Sequence, residues 1–222
     1  MRIRLRFALT LSLLMLSGIV LAHDRPAPTV PGEYRNWGGS IDKLEIVSPF
    51  RLASYHQIVV EPLDTSSTPL PDARDASYKP VREVLSQATS PFVFGLQELL
   101  PKVPAQIAGP GVSPGPGTLV VHCKLTALNP GTQAPRYASN DPNRPSAMIE
   151  GEVVDGGTGT TLLRFRQERR FGSGAEMDFG RTDQGHVRVN LKPLPANEGY
   201  KRDMGINLRL IGQDLGDILR TF

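Results

Sequence analysis

The chain is 222 residues long, with 25 Lys and Arg against 22 Asp and Glu and a single cysteine. One cysteine excludes an intramolecular disulfide, so the core must hold by burial alone, which about 200 residues can do as one domain. Arg2, Arg4 and Arg6 stand among the first 22 residues with no acid beside them; without them 22 basic residues face 22 acidic ones, a balance that excludes the broad cationic face of a nucleic-acid or anionic-membrane binder.

Those three arginines precede an uncharged apolar run over residues 7–21 that ends at Ala22. This is the pattern of a secretory signal peptide: the run falls short of the ~20 residues of a transmembrane span, and Val20 and Ala22 are small enough for signal-peptidase pockets. Cleavage is expected after Ala22, leaving a mature chain that begins at His23 without a membrane span, in the periplasm or secreted. An uncleaved N-terminal anchor is the alternative. Lipid anchoring at Cys123 is excluded, because lipoprotein acylation uses a cysteine at the cleavage point, where His23 stands.

Residues 23–50 are rich in Pro, Gly and polar side chains, which predicts an extended arm ahead of a single domain over 51–222. Trp37, the only tryptophan, lies in this arm. It either docks on the domain or presents an aromatic ring to a partner, and the free energy of burying so large a side chain favours docking. The first core element is predicted over 55–61, where Ile58, Val59 and Val60 suggest a central strand covered on both faces. Pro80 and Pro91 can each take the first position of a helix, with Ser90 as N-cap of the second. The segment 80–100 is thus two short helices or one kinked helix, with Val81, Val84, Leu85, Phe92, Leu96 and Leu99 at helical spacing.

The stretch 109–117 (GPGVSPGPG) is glycine-rich but unsuited to phosphate, since Pro110, Pro114 and Pro116 have no N–H to offer and no Walker lysine follows. It reads as a linker into a strand over 118–128. There Leu119, Val121, Cys123 and Leu125 alternate with Val120, His122, Lys124 and Thr126, which buries Cys123. The clearest local signal is an antiparallel hairpin over 147–171 around Gly156-Gly157-Thr158-Gly159. If Asp155 faces Thr161, Glu152 opposes Arg164 and Glu150 opposes Arg166 on one face, while Val153 meets Leu163 and Gly151 lies under Phe165 on the other. The facing glutamates weaken any reading of Arg164, Arg166, Arg169 and Arg170 as an anion site. Residues 172–200 read as a mobile or functional loop with a short strand at 186–191. A closing helix over 200–220 carries Met204, Leu208, Ile211, Leu215 and Ile218 on one stripe. Gly212 and Gly216 in that helix suggest close backbone contact with the sheet. The class is therefore α/β, a mixed sheet of about four strands with helices 80–100 and 200–220 packed on it.

The order of elements, with Gly131, the Arg136-Tyr137 pair, a strand ending at Asp155, the Thr158-Gly159 turn and a strand through Leu163 and Phe165, resembles a bacterial family of exported proteins and lipoproteins, domain of unknown function 4410. The resemblance spans residues 55–222, with NDPNRP at 140–145 in place of a glycine-rich approach to the third strand. It implies an architecture related to the N-terminal domain of TolB and to the periplasmic part of the curli secretion channel, and hence a role in the envelope.

Chemistry has little to stand on. His23, His56, His122 and His186 are scattered, no HExxH or GxSxG pattern occurs, and Glu150 and Glu152 face arginines that would keep both ionised. No catalytic residue, cofactor or metal is expected. Partner binding rests on Arg136 and Tyr137, a bidentate cation and an amphipathic ring on a long polar loop, and on Trp37. The reading is a non-enzymatic envelope protein with a binding or assembly role and a protein partner. The alternative is a periplasmic hydrolase with a site assembled from distant residues, which a pocket joining His122 or His56 to acids would favour.

Overall fold

The computed structural model describes residues 28–38, 41–112, 114–131, 144–172, 175–181, 187–193 and 196–222, with the backbone alone for 175–181, 187–193 and Ala196. In chain order the elements are β1 (Gly32–Trp37), β2 (Ile41–Ile46), β3 (Gln57–Val60), α1 (Tyr78–Ser86), α2 (Thr89–Leu99), β4 (Ala105–Ile107), β5 (Thr118–Asn129), β6 (Ser146–Asp155), β7 (Thr161–Arg170), β8 (Ala175–Arg181), β9 (Val187–Pro193) and α3 (Ala196–Arg220). Seven strands form one mixed sheet in the order β1-β2-β7-β6-β5-β3-β4, and β8 and β9 form a separate pair. The α/β class of the sequence reading holds, with more strands than expected.

β3 runs parallel to both β4 and β5, and its Ile58, Val59 and Val60 are fully buried, as an unbroken apolar run requires. The connection from β3 to β4 carries α1 and α2, the crossover that a parallel pair demands. Pro80 and Pro91 fall within the first turns of these helices. Ser90 lies inside α2 and does not cap it; Thr89 instead accepts a 3.0 Å bond from the Leu63 N–H, tying the loop after β3 to the helix.

The segment 32–46, expected as part of an extended arm, is instead two strands. β1 pairs antiparallel with β2, and β2 pairs antiparallel with β7, which places Leu44 and Ile46 in the core. Pro31 and Gly38 stand on either side of β1 rather than dissolve it. Trp37, at the end of β1, is docked: it is 5 % exposed and its indole Nε1 donates to the Pro28 carbonyl at 2.8 Å.

The β6–β7 hairpin pairs Glu152 with Arg164, Glu150 with Arg166, Val153 with Leu163 and Gly151 with Phe165, the register read from the sequence. Near the turn that register shifts. Thr161 faces Val154 rather than Asp155, and Leu162 is the extra residue, its carbonyl turned toward the N–H groups of Val47 and Ser48 at 2.8 and 3.0 Å. The Asp155 carboxylate closes the turn by accepting from the N–H groups of Gly157 and Thr158.

One face of the sheet carries the helices. The stripe Met204, Leu208, Ile211, Leu215 and Ile218 of α3 is fully buried against it. Gly212 and Gly216, expected against the sheet, face α2: a Cβ on Gly212 would stand 2.0 Å from the Phe92 carbonyl oxygen, and one on Gly216 2.7 Å from the Leu99 Cβ. Residues 172–200, expected as a loop with one short strand, contain the β8–β9 hairpin, paired from Ala175 with Pro193 to Arg181 with Val187. No helix among the described residues is long and apolar enough to cross a membrane. The signal-peptide reading of residues 1–22 lies outside the described residues.

Candidate interaction surface

The sheet face turned away from the helices is built from the alternate residues of each strand. At one end Val59, Val120 and Val154 form a buried row across β3, β5 and β6. Beyond that row the face is charged and open to solvent. Arg164 of β7 holds Glu45 of β2 at 3.1 Å and Glu152 of β6 at 3.6 Å, and Arg166 holds Glu150 at 3.6 Å. Arg166 also directs its guanidinium at the Met148 sulfur. Lys43, Glu45, Glu150, Arg164 and Arg166 line a shallow groove of about 290 Å³ with cations and anions side by side. The arrangement suits a zwitterionic surface better than a polyanion, in line with the equal numbers of basic and acidic residues beyond residue 22.

A second groove, of about 370 Å³, opens where β2, β7 and α3 meet, lined by Asp42, Glu168, Arg169, Arg170, Phe171 and Leu210. Its floor is rigid. Asp214 of α3 is almost fully buried and is gripped side-on by Arg169, whose Nε and Nη2 each donate to one carboxylate oxygen, while Gln167 donates to the same carboxylate at 2.9 Å. Burial pushes the Asp214 carboxyl above the usual carboxylate range, and the bonds from Arg169 and Gln167 pull against that shift. Gln167 also accepts from the Asp42 N–H at 3.0 Å, and the Asp42 carboxylate accepts from the Glu168 N–H at 2.8 Å. Nearby, Asn207 of α3 accepts from the Phe171 N–H and donates to the Phe171 carbonyl, both at 2.8 Å, locking the end of β7 to the helix.

The described histidines and the cysteine do not converge. His122 Nδ1 lies 2.9 Å from the Glu61 carboxylate on the solvent face, whereas Cys123 alternates onto the core face, where burial pushes its thiol up, so the single thiol cannot meet that histidine. His56 packs over Gly117 at the foot of β5, its backbone N–H bonded to the Gly117 carbonyl. The two grooves above are lined by no histidine. Among the described residues no group of three or more His, Cys, Asp or Glu is placed to hold a metal ion.

Of the partner-binding residues read from the sequence, Trp37 is spent on the core, and Arg136 and Tyr137 lie outside the described residues, as does His186. Sequence reasoning missed Lys43 and Glu45, which it assigned to the arm, and the Gln167–Arg169–Asp214 network. The alternation Leu44-Glu45-Ile46 was the available signal for the first. None marked the second, since Asp214 interrupts a helix read for its apolar stripe.

No family model matches the sequence, and no curated protein matches it. Among solved structures the chain is similar to the PelC dodecamer from Paraburkholderia phytofirmans, at 13% identity over 75% of this chain and 96% of that one, with a TM-score of 0.34. It is also similar to protein XCC0632 from Xanthomonas campestris, of family DUF330, at 9% identity over 75% of this chain and 85% of that one, with a TM-score of 0.37. A third similar structure is lipoprotein GNA1162 from Neisseria meningitidis, at 15% identity over 55% of this chain and 84% of that one, with a TM-score of 0.28.

Proposed function

We propose that the protein is an exported component of the cell envelope that works by binding or assembly, without catalysis, and that its open sheet face meets a protein partner. One observation carries this reading: charges of both signs alternate across that face and five of them pair with one another, Arg164 with Glu45 and Glu152 and Arg166 with Glu150, over a shallow groove. Interleaved charges of both signs favour a partner surface of complementary pattern. Export is supported by the signal-like pattern of residues 1–22. The resemblance of residues 55–222 to domain of unknown function 4410, and through it to TolB-like and curli-channel-like domains, belongs to the same reading.

The test is affinity capture from cross-linked envelopes with the mature protein and with its Arg164→Glu, Arg166→Glu variant, whose residues sit on the surface. The expected result is a partner recovered by the first and lost from the second. Recovery of nothing above background, or equal recovery by both, overturns the reading. Export is tested separately by the mass of the native protein: a chain beginning at His23 is expected, and an intact Met1 end in the cytosolic fraction overturns it.

A further inference from the structure

β1 is an outer strand of the seven-stranded sheet, and residues 32–36 are exposed or half-buried. Among the described residues its only backbone partner is β2, so one row of its N–H and C=O groups faces outward unpaired. The described residues before it, 28–31, are tied to it through side chains, with Tyr34 Oη donating to the Val30 carbonyl and Trp37 Nε1 to the Pro28 carbonyl, and among the described residues none of their bonds uses the strand's backbone row. The hairpin also sets like charges against each other. Glu33 stands opposite Glu45, and Arg35 opposite Lys43, an arrangement that costs stability. Glu45 is relieved by Arg164 at 3.1 Å, but neither Glu33 nor Arg35 has an ion-pair partner among the described residues.

We propose that β1 pairs antiparallel with β1 of a second copy of this chain, about a two-fold axis at Tyr34, so that Glu33 of each copy meets Arg35 of the other. An axis perpendicular to the sheet is the operator that keeps both charged faces on one side, and it joins the two sheets into one continuous sheet. Charge then selects the register. Centring on Glu33 sets Glu33 against itself, and centring on Arg35 sets Arg35 against itself. Any odd slip places a solvent-face residue against a core-face one. Only the register centred on Tyr34 turns both unmatched charges into two identical cross-strand pairs. Asn36, with φ of 50°, bends the backbone out of the extended region and ends the pairing before buried Trp37.

This interface goes beyond the envelope reading and stands without it, because its test uses the purified protein alone. Tyr34→Cys sets two Cβ atoms directly across the axis, about 4.5 Å apart in a non-hydrogen-bonded pair, a separation that small strand movements bring to disulfide geometry, while native Cys123 is buried. Mild oxidation is expected to give a covalent dimer. Adding Glu33→Arg, an exposed change, should weaken wild-type self-association in sedimentation about tenfold and slow cross-linking to match, and adding Arg35→Glu to it should restore both. A monomer at every concentration with no cross-link overturns the proposal. So does a dimer indifferent to Glu33→Arg, or one in which Glu33→Cys cross-links faster than Tyr34→Cys, which would mean a different register or a different surface.

Discussion

The backbone of Gly212 in α3 lies directly against the carbonyl of Phe92 in α2: a Cβ at 212 would stand 2.0 Å from that oxygen. Gly95 of α2 makes the reciprocal approach to the Arg209 carbonyl, also at 2.0 Å. Gly212→Ala must push the helices apart and is expected to cost ~2 kcal/mol or more, read from the midpoint of urea unfolding. Gly205, on the same helix, has nothing within 4 Å of the equivalent point. Gly205→Ala should therefore stabilise by about 0.5–1 kcal/mol, the ordinary helical gain.

Removing the guanidinium of Arg169 leaves the buried Asp214 carboxylate with Gln167 alone. Arg169→Met is expected to destabilise by about 2–3 kcal/mol at neutral pH, toward the low end for a buried pair because a third of the Arg169 side chain is in water. Burial already raises the Asp214 carboxyl, so in the variant the folded state binds the proton more readily than the unfolded one. The deficit should therefore shrink as pH falls and Asp214 is neutralised. Asp214→Asn in the same background should recover part of it at neutral pH.

Tyr55 donates to the Asp155 carboxylate at 2.8 Å, and burial together with that bond pushes the phenol up to about 12. A raised phenol keeps its proton in the folded state after the unfolded state has lost it. Its contribution is thus complete below pH ~10 and disappears as pH rises to about 12. Tyr55→Phe is expected to flatten the loss of stability across that interval. At the acid end Asp155 acts in the opposite sense: Tyr55 and the turn N–H groups hold its carboxyl low, so its contribution is present at neutral pH and lost as pH falls through that lowered value. Asp155→Asn should reduce the acid-side slope, leaving the share of Asp64, Asp75 and Glu98, which are also held low.

Cys123 sits on the core face of β5 with its thiol pushed up by burial. A thiol-specific reagent should label it only at the rate of unfolding, and full labelling should appear in denaturant. Rapid labelling of the native protein would contradict its placement. Gly151, directly opposite in β6, leaves the space this sulfur fills, since a Cβ there would stand 2.7 Å from it.

What was legible in the sequence was whatever depends on neighbours along the chain. The β6–β7 register could be read because apolar and charged residues alternate and a slip would bury Glu150 or Arg166. The buried stripe of α3 followed from its spacing. β2 was lost because its partner β7 is distant: Asp42 and Gln167, bonded across the two strands, are 125 positions apart. β4 has three residues, too few to show a period. The small residues of α3 announced a close approach without naming its object, which proved to be α2 rather than the sheet. Likewise nothing in the helix's own sequence points to the partners of Asp214, because Arg169 and Gln167 come to it from β7.

The pairing of β2 with β7 also sets an order of events during synthesis. The β1–β2 hairpin leaves the ribosome long before β7 exists, so Leu44 and Ile46, both buried in the finished sheet, have no surface to close on for most of translation. Two of the seven strands therefore wait on a later one, and an early hairpin with apolar flanks and an open edge is what a holding chaperone would meet first.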